Sequence, residues 1–425
     1  MSRVDVVSDP VTVAEAALLA RDQEQSPWQQ ALVLVVSGGL TREELVARIS
    51  ERIGYAPRFR RVVTGWPVPA WVDDANFNLN GHVSQSTLPA EHRLEDWLAE
   101  QLARPLPRSH PLWEVTLVDG LALGTQAVVA RVHPALVDGY DHIHLFQELL
   151  DDRPEEVAQT DADDWQPTET TAPDLTALIA GISDPLAAAE RLSAGVFGML
   201  ENGVRTLTAQ PRRHYLGGVE IELEAVDEVR RGFGCTTHDV LVALATAGVR
   251  GWLAEQGRPL TDEVALVPLA VTEPQVLASA IGCRIAPSFD RLPVTAITAT
   301  DRLEAIATIT GARRDSGLSV PARDLIGLAG FAPATLHAVA AGALGAGRPH
   351  TVVLTNVPGP REPRYLGRAR VRQVFAVTAT SDAEQLSIAI TSYRGRVSLA
   401  VAAVAPVTSW SASISAELDA LRNEL

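Results

Sequence analysis

Short runs of β-branched and aliphatic residues recur along the chain, and the segments between them have helical spacing. Each run is short enough to be one buried strand, and four of them are Ala31–Val36, Val128–Val132, Val264–Val271 and Val397–Val404. Over 425 residues, this alternation predicts an α/β protein with room for two domains of ordinary size.

Several predicted helices have recognisable ends. Thr41-Arg-Glu-Glu44 is a capping box, with Leu45, Ile49 and Ile53 as the inner face of the helix that follows. We expect Gly232 to end a helix over Leu223–Arg231, because glycine accepts the left-handed conformation of a helix C-terminus. Thr237-His238-Asp239 is expected to cap a long apolar helix. The segment Asn76–Val83 is expected to be extended.

A change in composition marks a boundary between two halves. Residues Asp151–Asp174 are rich in Asp, Glu, Thr and Pro, which is typical of a solvated linker. We therefore expect an N-terminal domain over residues 1–150, an acidic linker over 151–174 and a C-terminal domain over 175–425. Proteolysis is expected to cut this linker first.

The run Val128–Val132 ends in His133-Pro134-Ala135-Leu136-Val137-Asp138-Gly139. This heptapeptide resembles the His-His-x-x-x-Asp-Gly motif of the bacterial wax ester synthase/diacylglycerol acyltransferase (WS/DGAT) family. That family is grouped with the chloramphenicol acetyltransferases and the condensation domains of peptide synthetases. His133, Asp138 and Gly139 match the motif, whereas Pro134 stands at the position of the family's second histidine.

Other segments resemble the same family in order and spacing, so the resemblance covers nearly the whole chain. They are Pro57-Arg-Phe-Arg60, Trp71-Val72, His82-Val83, Pro111-Leu-Trp-Glu114 and Asn356-Val-Pro-Gly-Pro360. The resemblance implies two chloramphenicol-acetyltransferase-like domains, each a mixed sheet with helices, with a tunnel between them. It also implies an acyl-CoA or another acyl donor, and a small apolar acceptor that carries a hydroxyl or an amine.

The resemblance assigns roles in catalysis that this sequence alters. In the family the second histidine removes the hydroxyl proton of the acceptor, and Pro134 has no titratable group for this step. His133 is a candidate base or a structural histidine at a strand end. His238, where the family has Asn before Asp, is a candidate relocated base or a neighbour of the helix cap. Asp138 is expected to be structural.

Four positions are expected to border the substrate. They are Pro134, Gly139, which lets the backbone turn tightly, Asn356 in the second motif, and Cys283, where the family often has Asn after Gly. Cys283 is otherwise a small buried residue, as most free cysteines are.

Two readings of function stay open. In the first, the chain is an acyltransferase with altered chemistry. Either His133 or His238 supplies the base, or an amine acceptor needs none. In the second, the chain is a catalytically inactive homologue that binds an apolar ligand or a partner in the tunnel. Fold resemblance does not decide between them.

Composition excludes some further classes. The formal net charge of −16 argues against a nucleic-acid partner. The chain has no lysine, which excludes Schiff-base chemistry through lysine. No cofactor or metal spacing is recognisable. The two cysteines suit a reducing cytoplasm. No apolar run is long enough to span a bilayer, so we expect any contact with a membrane to be peripheral. The sequence does not predict an oligomeric state.

Overall fold

The computed structural model describes residues 9–11, 15–16, 18–19, 22, 27–65, 69–137, 149–155, 165–168, 213–271, 277–278, 284–315, 350–357, 359–380 and 385–425. Its strands are β1 Asp9–Pro10, β2 Gln30–Ser37, β3 Arg61–Thr64, β4 Ala70–Asp73, β5 Val83–Thr87, β6 Trp113–Asp119, β7 Thr125–Val132, β8 Tyr215–Glu222, β9 Val264–Val271, β10 Leu277–Ala278, β11 Arg284–Arg291, β12 Val352–Val357, β13 Tyr365–Leu366, β14 Ala369–Thr378, β15 Leu386–Tyr393 and β16 Arg396–Ala403. Its α-helices are α1 Arg42–Arg52, α2 Leu79–His82, α3 Leu94–Leu102, α4 Pro134–Val137, α5 Leu223–Phe233, α6 Thr237–Glu255, α7 Ala299–Asp315 and α8 Trp410–Asn423.

Two mixed sheets dominate the fold. The first has six strands in the order β13-β14-β2-β7-β6-β5, and the second has seven in the order β10-β11-β9-β12-β15-β16-β8. A smaller sheet pairs β1, β4 and β3. Parallel pairing joins β5 to β6, and joins β12 to both β9 and β15. The other pairs in the two large sheets are antiparallel.

The first sheet takes a strand from the far end of the chain. β14 pairs along its length with β2, so residues from the C-terminal part complete a sheet that otherwise comes from the N-terminal part. The two large sheets meet along β14. The hydroxyl of Thr391 on β15 donates to the carbonyl of Val374 on β14 at 3.1 Å. The hydroxyl of Tyr393 donates to the carbonyl of Val371 at 3.2 Å and accepts from the amide of Arg364 at 2.8 Å.

Most predicted elements are confirmed. The capping box at Thr41 forms, and Leu45, Ile49 and Ile53 are fully buried. The four predicted strands lie within, or overlap by all but one residue, β2, β7, β9 and β16.

Three local predictions are wrong. Leu79–His82 is a helical turn, because the side chain of Asn78 caps it by accepting from the amide of Asn80. Helix α5 continues past Gly232 and ends at Gly234, which has a φ of 66°. The cap of α6 is Thr236, one residue earlier than predicted, and Asp239 closes its capping box.

Of the two described parts of the predicted linker, the first contacts both halves of the chain and the second contacts the N-terminal part. The backbone of Asp151 forms a two-bond bridge with Tyr365, and its carboxylate pairs with Arg48. Trp165 lies edge-on to Phe77, with ring centroids 5.9 Å apart. The boundary between domains within residues 151–174 stays a prediction.

The contact between the sheets leads to a stability prediction. Tyr393→Phe removes a buried hydroxyl that makes two hydrogen bonds, so we expect the free energy of unfolding to fall by about 1–2 kcal/mol. Urea denaturation measures this loss. Tyr365→Phe is the control, and should change stability by less than about 0.5 kcal/mol. Equal effects of the two substitutions would contradict the assigned role of Tyr393.

Candidate active site

His133 lies immediately after β7, at the start of the short helix α4, and is completely buried. Its Nδ1 accepts a hydrogen bond from the amide of Ala135 at 3.0 Å. Its backbone carbonyl accepts from the amide of Leu136 at 3.0 Å. The imidazole thus satisfies a free amide of the first helical turn, as an N-cap side chain does. The neutral ring therefore carries its proton on Nε2, because the lone pair of Nδ1 faces Ala135.

The Nε2 of His133 lies 3.8 Å from Oδ2 of Asp22 and has no hydrogen-bond partner among the described residues. Burial and, to a smaller extent, the positive charge of the nearby Arg108 together lower the pKa of His133 from 6.5 to about 3. Burial also raises the pKa of Asp22, although the amide of Trp28 and the guanidinium of Arg108 oppose that shift. His133 is therefore neutral at physiological pH.

Asp22 belongs to a network that ties the motif to both parts of the chain. Its Oδ1 accepts from the amide of Trp28 at 2.9 Å. The guanidinium of Arg108 donates to the carbonyls of Leu19 and Asp22, at 2.6 and 2.8 Å. The indole of Trp28 donates to the carbonyl of Ala379, just past the end of β14, at 2.9 Å. Nothing in the local sequence around Asp22 or Arg108 indicated these contacts with the motif.

Pro134 is the first residue of α4 and is buried. Proline suits this position because the amide it lacks would have no partner within the helix. The structure thus places a side chain without proton-transfer capacity where the resemblance expects the general base.

The second candidate pair lies in the C-terminal part. His238, in the first turn of α6, lies with its Nδ1 3.0 Å from Nδ2 of Asn356 near the end of β12. Both residues are partly exposed. The neighbouring Asp239 is buried, and although burial raises its pKa, hydrogen bonds from Thr310 and Thr236 hold that pKa below its ordinary value. Asp239 is thus a charged capping residue, and His238 beside it meets Asn356.

The structure therefore brings two of the predicted site residues together, His238 and Asn356. Asp138, Gly139 and Cys283 lie outside the described residues, so their roles stay predictions. In the described part of the chain, no group of His, Cys, Asp and Glu could hold a metal ion. Nor does any helix in that part have the length and apolarity needed to cross a bilayer.

A cleft of about 390 Å³ opens at the other end of the first sheet, where β2 ends and β14 begins. Gly38, Glu44 and Arg368 are among its lining residues. His133 follows the opposite end of that sheet, since Val132 pairs with Gln30 at the start of β2. The cleft is therefore separate from the motif.

Comparison with solved structures defines the class of fold. The wax ester synthase/diacylglycerol acyltransferase from Marinobacter aquaeolei aligns over 98% of this chain and 99% of its own, with a TM-score of 0.64 and 20% identity. A starter condensation domain of rhizomide synthetase, in complex with C8-CoA and Leu-SNAC, aligns over 100% and 95%, with a TM-score of 0.52 and 13% identity. The chain has the α/β fold of these acyltransferases and condensation domains, with two chloramphenicol-acetyltransferase-like domains.

Sequence comparison supplies the family. The wax ester synthase/diacylglycerol acyltransferase catalytic domain matches residues 1–217, and the WS/DGAT C-terminal domain matches residues 282–414. A putative diacylglycerol O-acyltransferase of Mycobacterium tuberculosis is 31% identical over 400 residues, 83% of this chain and 82% of the relative. One from Mycobacterium bovis is 26% identical over 388 residues, 85% and 83% of the two chains. The chain belongs to the WS/DGAT family of acyltransferases.

The depressed pKa of His133 predicts a pH dependence of stability. In the unfolded chain the imidazole takes up a proton near its ordinary pKa of 6.5, whereas in the folded protein it does so only near 3. The unfolded state therefore binds more protons between these values, and stability is lost as pH falls below 6.5. Between pH 6.5 and 5, the free energy of unfolding should fall about 1 kcal/mol per pH unit more steeply than in His133→Asn.

His133→Asn is a suitable reference because Asn Oδ1 can accept from the amide of Ala135 without titrating. Asp22 is present in both proteins, so its contribution is common to both. Urea denaturation at several pH values measures the two slopes. Parallel slopes would contradict the buried, neutral state of His133.

Proposed function

We propose that this protein transfers an acyl group from acyl-CoA, or an equivalent acyl carrier, to a hydroxyl or amine of an apolar acceptor, with His238 in place of the missing base. The observation that carries the proposal is the His238–Asn356 pair, at 3.0 Å, joining the start of α6 to the end of β12. Membership of the WS/DGAT family supports acyl transfer as the class of reaction. The two cysteines favour a cytoplasmic location for this reaction.

His133 is a poor base in this arrangement. A general base needs a lone pair directed at the acceptor's proton, and the lone pair of His133 is directed at the amide of Ala135. A pKa of about 3 also makes the imidazole a weak base at neutral pH. We assign His133 the positioning of α4, and Asp138 a structural role in the same loop.

His238 has a route to act as a base. As placed, the amide nitrogen of Asn356 donates to Nδ1, which leaves the proton of the neutral ring on Nε2. A 180° rotation of the Asn356 amide presents its oxygen instead, so that Nδ1 carries the proton and Nε2 has the lone pair. Asn356 then orients the ring as the third group of a catalytic constellation does.

The inactive reading remains the second candidate because one specific observation favours it. Pro134 is buried within the motif and supplies no proton acceptor. In that case the chain would bind an acyl donor or another apolar ligand without transferring an acyl group.

The inactive reading predicts no turnover in the wild type, whereas the proposed function predicts turnover that depends on His238. With palmitoyl-CoA and a long-chain alcohol, His238→Ala should lower turnover about 100-fold or more, the lower range of general-base contributions. With the matching alkylamine, at a pH where the free amine is abundant, the loss should be much smaller because the amine is already nucleophilic. Thiol release and product mass spectrometry follow both reactions.

The control for this experiment is His133→Asn, which should retain most of the turnover with the alcohol if it stays folded. Equal losses with alcohol and amine in His238→Ala would assign His238 to binding or structure. No loss with either acceptor would reject His238 as the base.

Restoring the family's second histidine tests the altered position directly. If the acyl donor and the alcohol still bind in the orientation needed for reaction, Pro134→His should raise the rate of O-acyl transfer at least tenfold. The orientation of the substrates is then retained, and the new imidazole adds proton transfer. Pro134→Ala is the matched control, since it removes the ring without supplying a base. A rise of the same size in both variants would attribute the effect to backbone freedom.

A further inference from the structure

Three buried polar side chains lie where the first sheet meets the motif. Gln30, Thr378 and Thr380 are at most 2% exposed. Both polar atoms of the Gln30 amide and the hydroxyls of Thr378 and Thr380 have no hydrogen-bond partner in the described structure. We call these three residues the polar trio. A buried polar group that lacks a partner destabilises a fold, so such groups are few in native proteins.

Strand register places the polar trio beside the motif. Gln30 pairs with Thr378 on one side and with Val132 on the other, so these three side chains emerge from the same face of the sheet. Val132 directly precedes His133. Beyond Thr378 the chain stays alongside, since the amide of Ala379 donates to the carbonyl of Gln29 at 2.8 Å. Thr380 follows, so the trio lies along the end of the sheet next to the motif.

A second buried glutamine in the same sheet has an amide whose hydrogen bonds are all made within the protein, and it serves as a comparison for Gln30. Gln126, near the start of β7, accepts from the amide of Leu40 at 2.9 Å and donates to the carbonyl of Leu40 at 2.8 Å. It also donates to the carboxylate of Asp119 at 2.7 Å. In the described part of the chain Gln30 has no equivalent bonds, although it is more deeply buried than Gln126.

The chemistry of the polar trio defines the group that would satisfy it. All three side chains are uncharged, and each offers both a donor and an acceptor. A complementary group is uncharged and has hydrogen-bonding capacity of its own, as an amide or a hydroxyl does. A carboxylate or phosphate would be buried there without a counter-charge from the trio. Both sources of such a group occur in acyl transfer, namely the amides of the pantetheine arm and the hydroxyl of an acceptor.

We infer that Gln30, Thr378 and Thr380 bind an uncharged amide or hydroxyl group of an acyl-transfer substrate, at the end of the sheet where His133 and Pro134 stand. The inference rests on the proposed function, since it takes the ligand to be an acyl donor or acceptor. It names side chains from β2 and the end of β14 as a substrate-binding surface, in addition to the motif and the His238–Asn356 pair.

The test compares binding to the wild type with binding to two near-isosteric variants, Gln30→Leu and Thr378→Val. Octanoyl-CoA is the donor probe, measured by isothermal titration calorimetry, and radiolabelled 1-dodecanol is the acceptor probe, measured by equilibrium dialysis. Each variant should raise the Kd for one probe about three- to tenfold, which corresponds to one lost hydrogen bond between neutral groups. The probe affected identifies the source of the bound group.

Stability without ligand supplies the second readout. Because Gln30→Leu removes an unsatisfied buried amide, it should leave the melting temperature unchanged or raise it by about 2 °C. Gln126→Leu is the matched control. It should lower the melting temperature and leave the Kd for both probes unchanged.

Each outcome decides a separate question. If the wild type binds a probe and both variants bind it equally well, the inference is overturned while the proposed function stands. If Gln30→Leu lowers the melting temperature as much as Gln126→Leu does, its amide has an internal partner such as a buried water, and the inference is again overturned. If the wild type binds neither probe, the proposed function fails and the inference fails with it.

Discussion

The pairing of β14 with β2 is the constraint on which the rest of the structure depends. It makes residues near the C-terminus part of the sheet that carries His133, and it brings β15 into hydrogen-bonding contact with β14. Through this pairing, the N-terminal and C-terminal parts share one hydrogen-bonded sheet, and β14 cannot move independently of β2 without breaking these bonds. The same pairing aligns Thr378 with Gln30 beside the end of β7.

Two residues of the motif at the end of β7, His133 and Pro134, each fit the start of α4. His133 uses its ring nitrogen to cap the first turn of α4, and Pro134 fits a position where an amide would lack a partner. Both residues thus stabilise the loop, and neither offers a lone pair to a substrate. Burial keeps His133 neutral, which suits a structural role more than acid–base work. The proposed function therefore takes its base from the His238–Asn356 pair and not from the motif.

Features set by neighbouring residues could be predicted from the sequence, and features set by long-range pairing could not. The capping box at Thr41 and the buried strand β7 follow from local spacing and β-branching. The predicted helix end at Gly232 is two residues early because Gly232 and Gly234 both suit a C-cap, and the local sequence does not distinguish them. The approach of Asp22 to His133, and of Asn356 to His238, depends on how the sheets assemble, which periodicity does not specify.

The most direct test of the account is whether the unaltered protein turns over an acyl donor. Purified wild-type protein is incubated with palmitoyl-CoA in two separate reactions. One reaction contains a long-chain alcohol as acceptor, and the other contains a long-chain amine. Thiol release is then compared with the amount of ester or amide found by mass spectrometry. The account predicts repeated turnover with one product formed per thiol released. Binding of palmitoyl-CoA without product from any acceptor would contradict it and would favour a ligand-binding role.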